Sequence, residues 1–239
     1  MTTAGPVTEV PAHAPRELQP ETATRVRDLF RTVGTAQLAD AAADLVRPLR
    51  RPFQPRNGYE RVCGPAFGIT TDDDMLPCLQ ALALAPAGSV LLVVNSREPS
   101  EALVGDIFLT SALVQGLGGV VVDGAVRDLA DLREIAVPVF STAVTFVSAR
   151  TTDRRAPQVP CAVDVAGVTV APGDWIFGDA DGFLSVPARH VNAVMAAGAV
   201  LRRREDGLRE TMRRDLRTLA DLTNLTGFLE GSGELGFVP

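Results

Sequence analysis

A chain of 239 residues, 46% hydrophobic and 22% charged, can bury one sizeable core and has the composition of an ordinary globular protein. Its net charge of −6 gives no reason to expect a nucleic-acid partner, and no apolar run or basic-then-hydrophobic leader marks a membrane span or a secretory signal. All 23 basic residues are arginine, so Schiff-base chemistry on a lysine is excluded.

In chain order, residues Met1 to about Pro20 are rich in Pro, Ala and Thr, the composition of a flexible arm. Glu21–Leu49 carries helical spacing in two pieces parted by Gly34-Thr35, and Arg47–Arg61 is a polar, proline-bearing connection. Val62–Thr70 is predicted as a strand kinked at Gly64-Pro65, followed by a solvated Asp72-Asp73-Asp74 loop. Met75–Ala85 is an apolar helix stopped by Pro86-Ala87-Gly88, and Val90–Val94 is a strand. After a polar loop over Glu98–Glu101, Gly105-Asp106 opens a helix that runs to about Gln115. Val120–Val122 is a β-branched run of the kind buried on both sheet faces. Asp123-Gly124 is expected to turn the chain there, leading into a helix that starts near Arg127-Asp128. Val137–Phe140 is a further strand. Four short strands follow at Cys161–Val165, Val168–Val170, Trp175–Gly178 and Phe183–Val186, the last two joined by a hairpin turn at Asp179–Gly182. Ala188–Leu219 is predicted as a long helix, broken near Gly207 and lined with arginines. The order implies one compact α/β domain with a mixed sheet and helical terminal arms.

His13 and His190 are too few for a multi-histidine metal centre or a Ser-His-Asp triad. Cys63, Cys78 and Cys161 are odd in number and far apart, as expected of reduced, buried residues in a cytoplasmic protein. What remains for chemistry is carboxylates, arginines, backbone amides and a hard metal ion. Gly105–Phe108 supplies the free N–H groups of a helix start, where carboxylates and phosphates bind. Arg127 follows Gly105 by 22 residues, about one helix, one turn and one strand, which returns the chain to the same sheet edge. Arg127 suits a bidentate carboxylate partner and Asp128 offers hard oxygen to Mg²⁺. Each piece also has a structural reading: Gly105-Asp106 as an ordinary helix cap, Arg127-Asp128 as a solvated pair. The arginines of residues 202–217 are interleaved with Glu205, Asp206, Glu210 and Asp215, the pattern of a salt-bridged helix face.

Several ordered blocks together resemble one family. Gly105-Asp106, Val122–Asp128, Pro138–Phe140, Ala166–Trp175 and Gly178–Gly182 into Val186-Pro187 are similar to the RraA-like family, over roughly residues 25–215. That family includes metal-dependent 4-hydroxy-4-methyl-2-oxoglutarate / 4-carboxy-4-hydroxy-2-oxoadipate aldolases and non-catalytic inhibitors of ribonuclease E. The resemblance implies an α/β/β/α swivelling-type domain over residues 21–219, an N-terminal arm over 1–20 and a C-terminal extension over 220–239. It implies homotrimers or homohexamers with active sites at subunit interfaces. Carried over by position, Gly105, Asp106, Ile107 and Phe108 would hold the pyruvate carboxylate, Arg127 would contact pyruvate, and Asp128 would bind Mg²⁺ or Mn²⁺. Asp106 and Asp40 match acids that hold metal-bound waters, and Glu205 falls near an acid that a neighbouring subunit contributes. Asp40 stands where the aldolases carry Glu, and Met75 where many members carry Asn. The implied activity is cleavage of a 4-hydroxy-2-oxo acid to pyruvate, with oxaloacetate decarboxylation as a related reaction. The alternatives are a ribonuclease-binding regulator, or an enzyme of a specialised pathway using the same site on another keto acid.

Overall fold

The computed structural model describes residues 20–97, 100–151 and 158–236. Helices α1 (Pro20–Phe30) and α2 (Thr35–Ala41) lead into strands β1 (Arg47–Leu49), β2 (Gln54–Pro55) and β3 (Val62–Thr71). Then come α3 (Met75–Leu84), β4 (Val90–Asn95), β5 (Ala102–Val104), α4 (Asp106–Gln115), β6 (Gly119–Val126), the single turn α5 (Leu129–Leu132) and β7 (Val139–Val144). Strands β8 (Val163–Val165), β9 (Val168–Val170), β10 (Trp175–Asp179) and β11 (Gly182–Val186) precede the long α6 (Val191–Asp215) and a short α7 (Leu225–Leu229).

The main sheet runs β1-β11-β10-β3-β4-β6-β7-β2, with β5 beside β6, while β8 and β9 pair separately. Strand β3 belongs to both halves. Its first residues pair antiparallel with β10, Pro65 opposite Trp175, and from Ala66 onward it pairs parallel with β4. The expected kink at Gly64-Pro65 is therefore where the strand changes partner and the sheet folds over on itself.

Three hydrophobic clusters fill the spaces this creates. Helices α3 and α4 cover the parallel half through Cys78, Leu109, Val120 and Val122. Between the two halves lie Val90, Leu92, Val121, Phe140, Ile176 and Phe183. On the far side, α1, α2 and α6 close over the antiparallel half through Phe30, Leu38, Phe177, Val194 and Met195. Side chains alternate between spaces along each strand, so β6 and β10 are buried throughout because both their faces are covered. The result is the α/β/β/α layering.

A buried polar contact locks the far helix layer to the sheet. The Thr35 amide and hydroxyl both donate to the Asp179 carboxylate, at 2.8 and 2.5 Å. Asp179 is only 7% exposed. Removing the hydroxyl leaves a buried carboxylate short of a donor, so Thr35→Ala is expected to cost roughly 1–3 kcal/mol, read as a lower urea midpoint at unchanged slope.

Several expectations are corrected. Asp123-Gly124 does not turn the chain; β6 continues through it to Val126, and the Asp123 carboxylate is buried against Arg51 at 2.8 Å. The helix after Asp128 is one turn only, because Ile135 and Ala136 lie beyond its end. Helix α6 passes Gly207 unbroken; a side chain there would meet only open space, so nothing forces a kink. Arg47–Arg61 holds two short strands, and the stretch after Glu101 holds β5. The flexible arm expected before Pro20 lies outside the described residues. Burial pushes the Cys63 and Cys78 thiols up to about 12, which keeps them protonated and unreactive near neutrality. Among the described residues no helix is long and apolar enough to cross a membrane.

Candidate functional site

The site begins with an irregularity in β6. Up to Asp123 this strand lies beside β4; from Ala125 it lies beside β5, Ala102 opposite Ala125 and Val104 opposite Val126. The register also slips between Val122 and Ala125 on the β7 side. Gly124 sits at the change. A Cβ there would stand 3.2 Å from the Asn95 Cβ, so glycine permits the close passage. The Gly124 amide, freed from the ladder, donates to Thr142 Oγ1 at 2.9 Å. The bulge brings the end of β6 alongside the end of β5, at the carboxyl edge of the parallel strands, where such sheets bind ligands.

Two segments meet at that edge. From β5, Gly105 caps α4, and the first helical bond runs from the Leu109 amide to the Gly105 carbonyl. The amides of Asp106, Ile107 and Phe108 therefore lack acceptors within the helix and present partial positive charge. From β6, the Arg127 amide donates to the Val104 carbonyl, continuing the ladder, and Asp128 then adopts the left-handed conformation, φ 60° and ψ 40°. Aspartate tolerates this region better than most side chains, yet it remains a strained choice of the kind concentrated at functional sites. The consequence is positional. Asp128 Oδ2 accepts from Arg127 Nε at 3.0 Å and faces the Asp106 amide at 3.5 Å.

Both charged groups stay within reach of solvent, with side chains 35% (Arg127) and 29% (Asp128) exposed. Arg127 engages Asp128 through Nε, and its two terminal nitrogens make no hydrogen bond to other described residues. That edge of the fork is available to an anionic ligand. Beside it opens a cleft of about 280 Å³, close to the lower end of the roughly 300–1,000 Å³ typical of small-molecule sites. Arg127, Gly105, Asp106, Met75, Leu79 and Leu103 are among the residues that line it. Gly105 is tightly constrained: a Cβ there would collide with Asp128 Oδ2 and lie 3.2 Å from Arg127 Nε. Gly105→Ala is expected to displace the carboxylate and suppress activity by more than tenfold, about 1.4 kcal/mol in barrier, while leaving thermal unfolding nearly unchanged.

The structure thus gathers Gly105, Asp106, Ile107, Phe108, Arg127 and Asp128 at one edge. It does not bring Asp40 or Glu205 to them within one chain. Those two belong to α2 and α6, in the helix layer on the other side of the folded sheet. Asp40 is exposed, and Glu205 accepts from Gln37 Nε2 at 3.0 Å and Arg209 Nη1 at 3.5 Å. Gln37 lies three residues before Asp40 on α2, so both acids occupy the α2–α6 surface. Among the described residues no three His, Cys, Asp or Glu side chains converge closely enough to hold a metal ion. The donors at the edge nevertheless suit a hard cation. Asp128 and Asp106 offer carboxylate oxygen without thiolate or imidazole, and Mg²⁺ commonly takes one or two carboxylates and keeps several waters.

Sequence reasoning missed Leu79, Leu103, Ser111 and Ser148 as cleft residues. Leu79 follows Met75 by one helical turn, the only local signal that the two share a face. Ser148 joins through an isolated bridge to Ala102, which local sequence does not reveal.

Comparison with known proteins places the fold in a family. Residues 35–184 match the RraA-like family, described as Aldolase/RraA. A Burkholderia mallei protein with the provisional name 4-hydroxy-4-methyl-2-oxoglutarate aldolase is 38% identical over 156 residues, covering 63% of this chain and 93% of its own. A protein of the same provisional name from Halalkalibacterium halodurans is 33% identical over 159 residues, covering 66% and 74%. Among solved structures, Streptomyces coelicolor RraAS2, described as an unusual member of the RNase ES inhibitor RraA protein family, superposes with a TM-score of 0.67. It is 25% identical, covering 81% of this chain and 98% of its own. With the match spanning β1 to β11 and therefore the whole folded sheet, this chain belongs to the RraA-like family.

Proposed function

We propose that the chain is a divalent-metal-dependent aldolase that releases pyruvate from a 4-hydroxy-2-oxo acid. Relatives named as aldolases support carbon–carbon lyase chemistry. The observation that carries the reading is the left-handed Asp128, whose carboxylate is held between the Arg127 guanidinium and the start of α4. Asp128 would hold Mg²⁺ or Mn²⁺ directly and Asp106 through bound water; the ion when bound supplies Lewis-acid polarisation of the substrate's 2-keto oxygen. With the Asp106 amide turned to Asp128, the Ile107 and Phe108 amides bind the substrate carboxylate. Arg127 points its open edge at the keto oxygen and stabilises the negative charge that develops there, as an oxyanion hole does. Water ordered by Asp106 takes the C4 hydroxyl proton. The C4–O bond then becomes a carbonyl, the C3–C4 bond breaks, and its electron pair passes into the pyruvate enolate, which is protonated at C3. Oxaloacetate, cleaved at its C3–C4 bond to CO₂ and the same enolate, is a second substrate by this logic.

Asp40 and Glu205 enter this scheme from a neighbouring subunit of a homotrimer or homohexamer, since their own chain holds them on the opposite layer. The test is metal removal. Dialysis against EDTA should abolish pyruvate release, and Mg²⁺ or Mn²⁺ should restore it. Full activity in rigorously metal-free protein would overturn the mechanism. A ribonuclease-binding regulator, the reading favoured by likeness to RraAS2, would release no pyruvate with or without metal.

A further inference from the structure

The slip in β6 that precedes Arg127 and Asp128 is a bulge with a single residue opposite it. Val122 pairs with Ser141 and Ala125 with Ala143, so Asp123 and Gly124 together face Thr142 alone. The Thr142 hydroxyl supplies what the ladder lacks there. It accepts from the Gly124 amide at 2.9 Å, and its own proton lies between the Gly124 carbonyl at 3.2 Å and Asp123 Oδ1 at 3.5 Å. Arg51 Nε holds the other oxygen of that carboxylate at 2.8 Å. Beyond the bulge the new register is fixed on both sides. The Val126 carbonyl accepts from the Thr145 amide, and the Arg127 amide donates to the Val104 carbonyl, each at 3.0 Å. Losing the bulge would shift the following register by one residue and turn each later side chain to the opposite face, Arg127 and Asp128 among them.

We propose that Thr142 is a positioning residue, its hydroxyl holding the bulge that sets Arg127 and Asp128 against the start of α4. The proposal rests on the aldolase reading, because it takes Asp128 as the ligand of the divalent ion. The hydrogen bonds of Thr142 run to Gly124 and Asp123, so it acts on the site through the β6 backbone, as outer partners of metal ligands act through the groups they orient. Valine has the shape of threonine but can neither accept from the Gly124 amide nor donate to its carbonyl. Serine keeps both bonds.

Metal binding tests this separately from turnover. In a titration of the full-length protein followed by electron paramagnetic resonance, Mn²⁺ is expected to bind Thr142→Val roughly 10–100-fold more weakly than the unaltered protein, the range for loss of an outer partner. Thr142→Ser is expected to bind as the unaltered protein does, and kcat should fall in the first variant and recover in the second. Thr142→Ala takes the place of the valine variant if that chain does not fold. A hydroxyl that serves stability alone would lower the unfolding temperature when removed, yet leave the Mn²⁺ affinity and kcat of the folded protein unchanged. That result would overturn the inference while leaving the aldolase reading intact, as would a serine variant as impaired as the valine one. Unaltered protein that binds no Mn²⁺ would remove the site assignment and the inference with it.

Discussion

Replacing Arg127 by lysine is expected to lower turnover by on the order of 10²-fold or more, the range seen when an oxyanion donor is removed. The charge survives the change, so a site needing only a nearby cation would tolerate it. Here the guanidinium has two simultaneous tasks. Its Nε holds Asp128 Oδ2 at 3.0 Å, while in the proposed mechanism the terminal nitrogens are left to bind the substrate. A lysine ammonium is a single point donor on a flexible stem and cannot do both. Steady-state kinetics distinguish the cases: the fall should appear in kcat as well as in kcat/KM, because the contact strengthens as the enolate charge develops. Near-normal turnover would reduce Arg127 to a structural partner of Asp128.

The second large effect concerns subunits. Asp128→Ala and Glu205→Ala chains should each be inactive alone, yet mixed oligomers should recover part of the wild-type activity. One interfacial site in a mixed assembly can receive its Asp128 from one chain and its Glu205 from another. The basis is the placement of α2 and α6 across the folded sheet from the Arg127–Asp128 edge, which prevents one chain from completing the set. Apolar side chains exposed around the cleft, Ile107 and Leu79 among them, give that face the character of a contact surface. Native mass spectrometry would establish that subunits had exchanged. Exchanged oligomers as inactive as either parent would place Glu205 outside catalysis.

Much of the candidate site was legible in the sequence because it is built from local signals. Gly105-Asp106 does begin a helix, and Val120–Val122 does form a strand buried on both faces, so counting 22 residues from Gly105 to Arg127 returned the chain to one edge. The error at Asp123-Gly124 has a physical cause. Glycine after a strand is locally a turn signal, but here β4 and β5 flank the strand in succession and hold it extended while it changes neighbours. Strand β5 has only three residues, too few for periodicity, and exists because the end of β6 offers it a partner. Asp40 and Glu205 could be nominated by resemblance, but their separation from Asp128 is set by which layer each helix covers. That depends on long-range packing, such as the Thr35–Asp179 contact across 144 residues, which no local window contains.

In the proposed mechanism Arg127 and Asp128 form a metal-dependent, pyruvate-releasing site. The most direct measurement couples purified protein to lactate dehydrogenase and follows NADH oxidation with a panel of 4-hydroxy-2-oxo acids, bearing either alkyl or carboxylate groups at C4. Pyruvate release is expected to require Mg²⁺ or Mn²⁺ and to disappear in Asp128→Ala. Metal-independent release, or release that persists undiminished in Asp128→Ala, would contradict it.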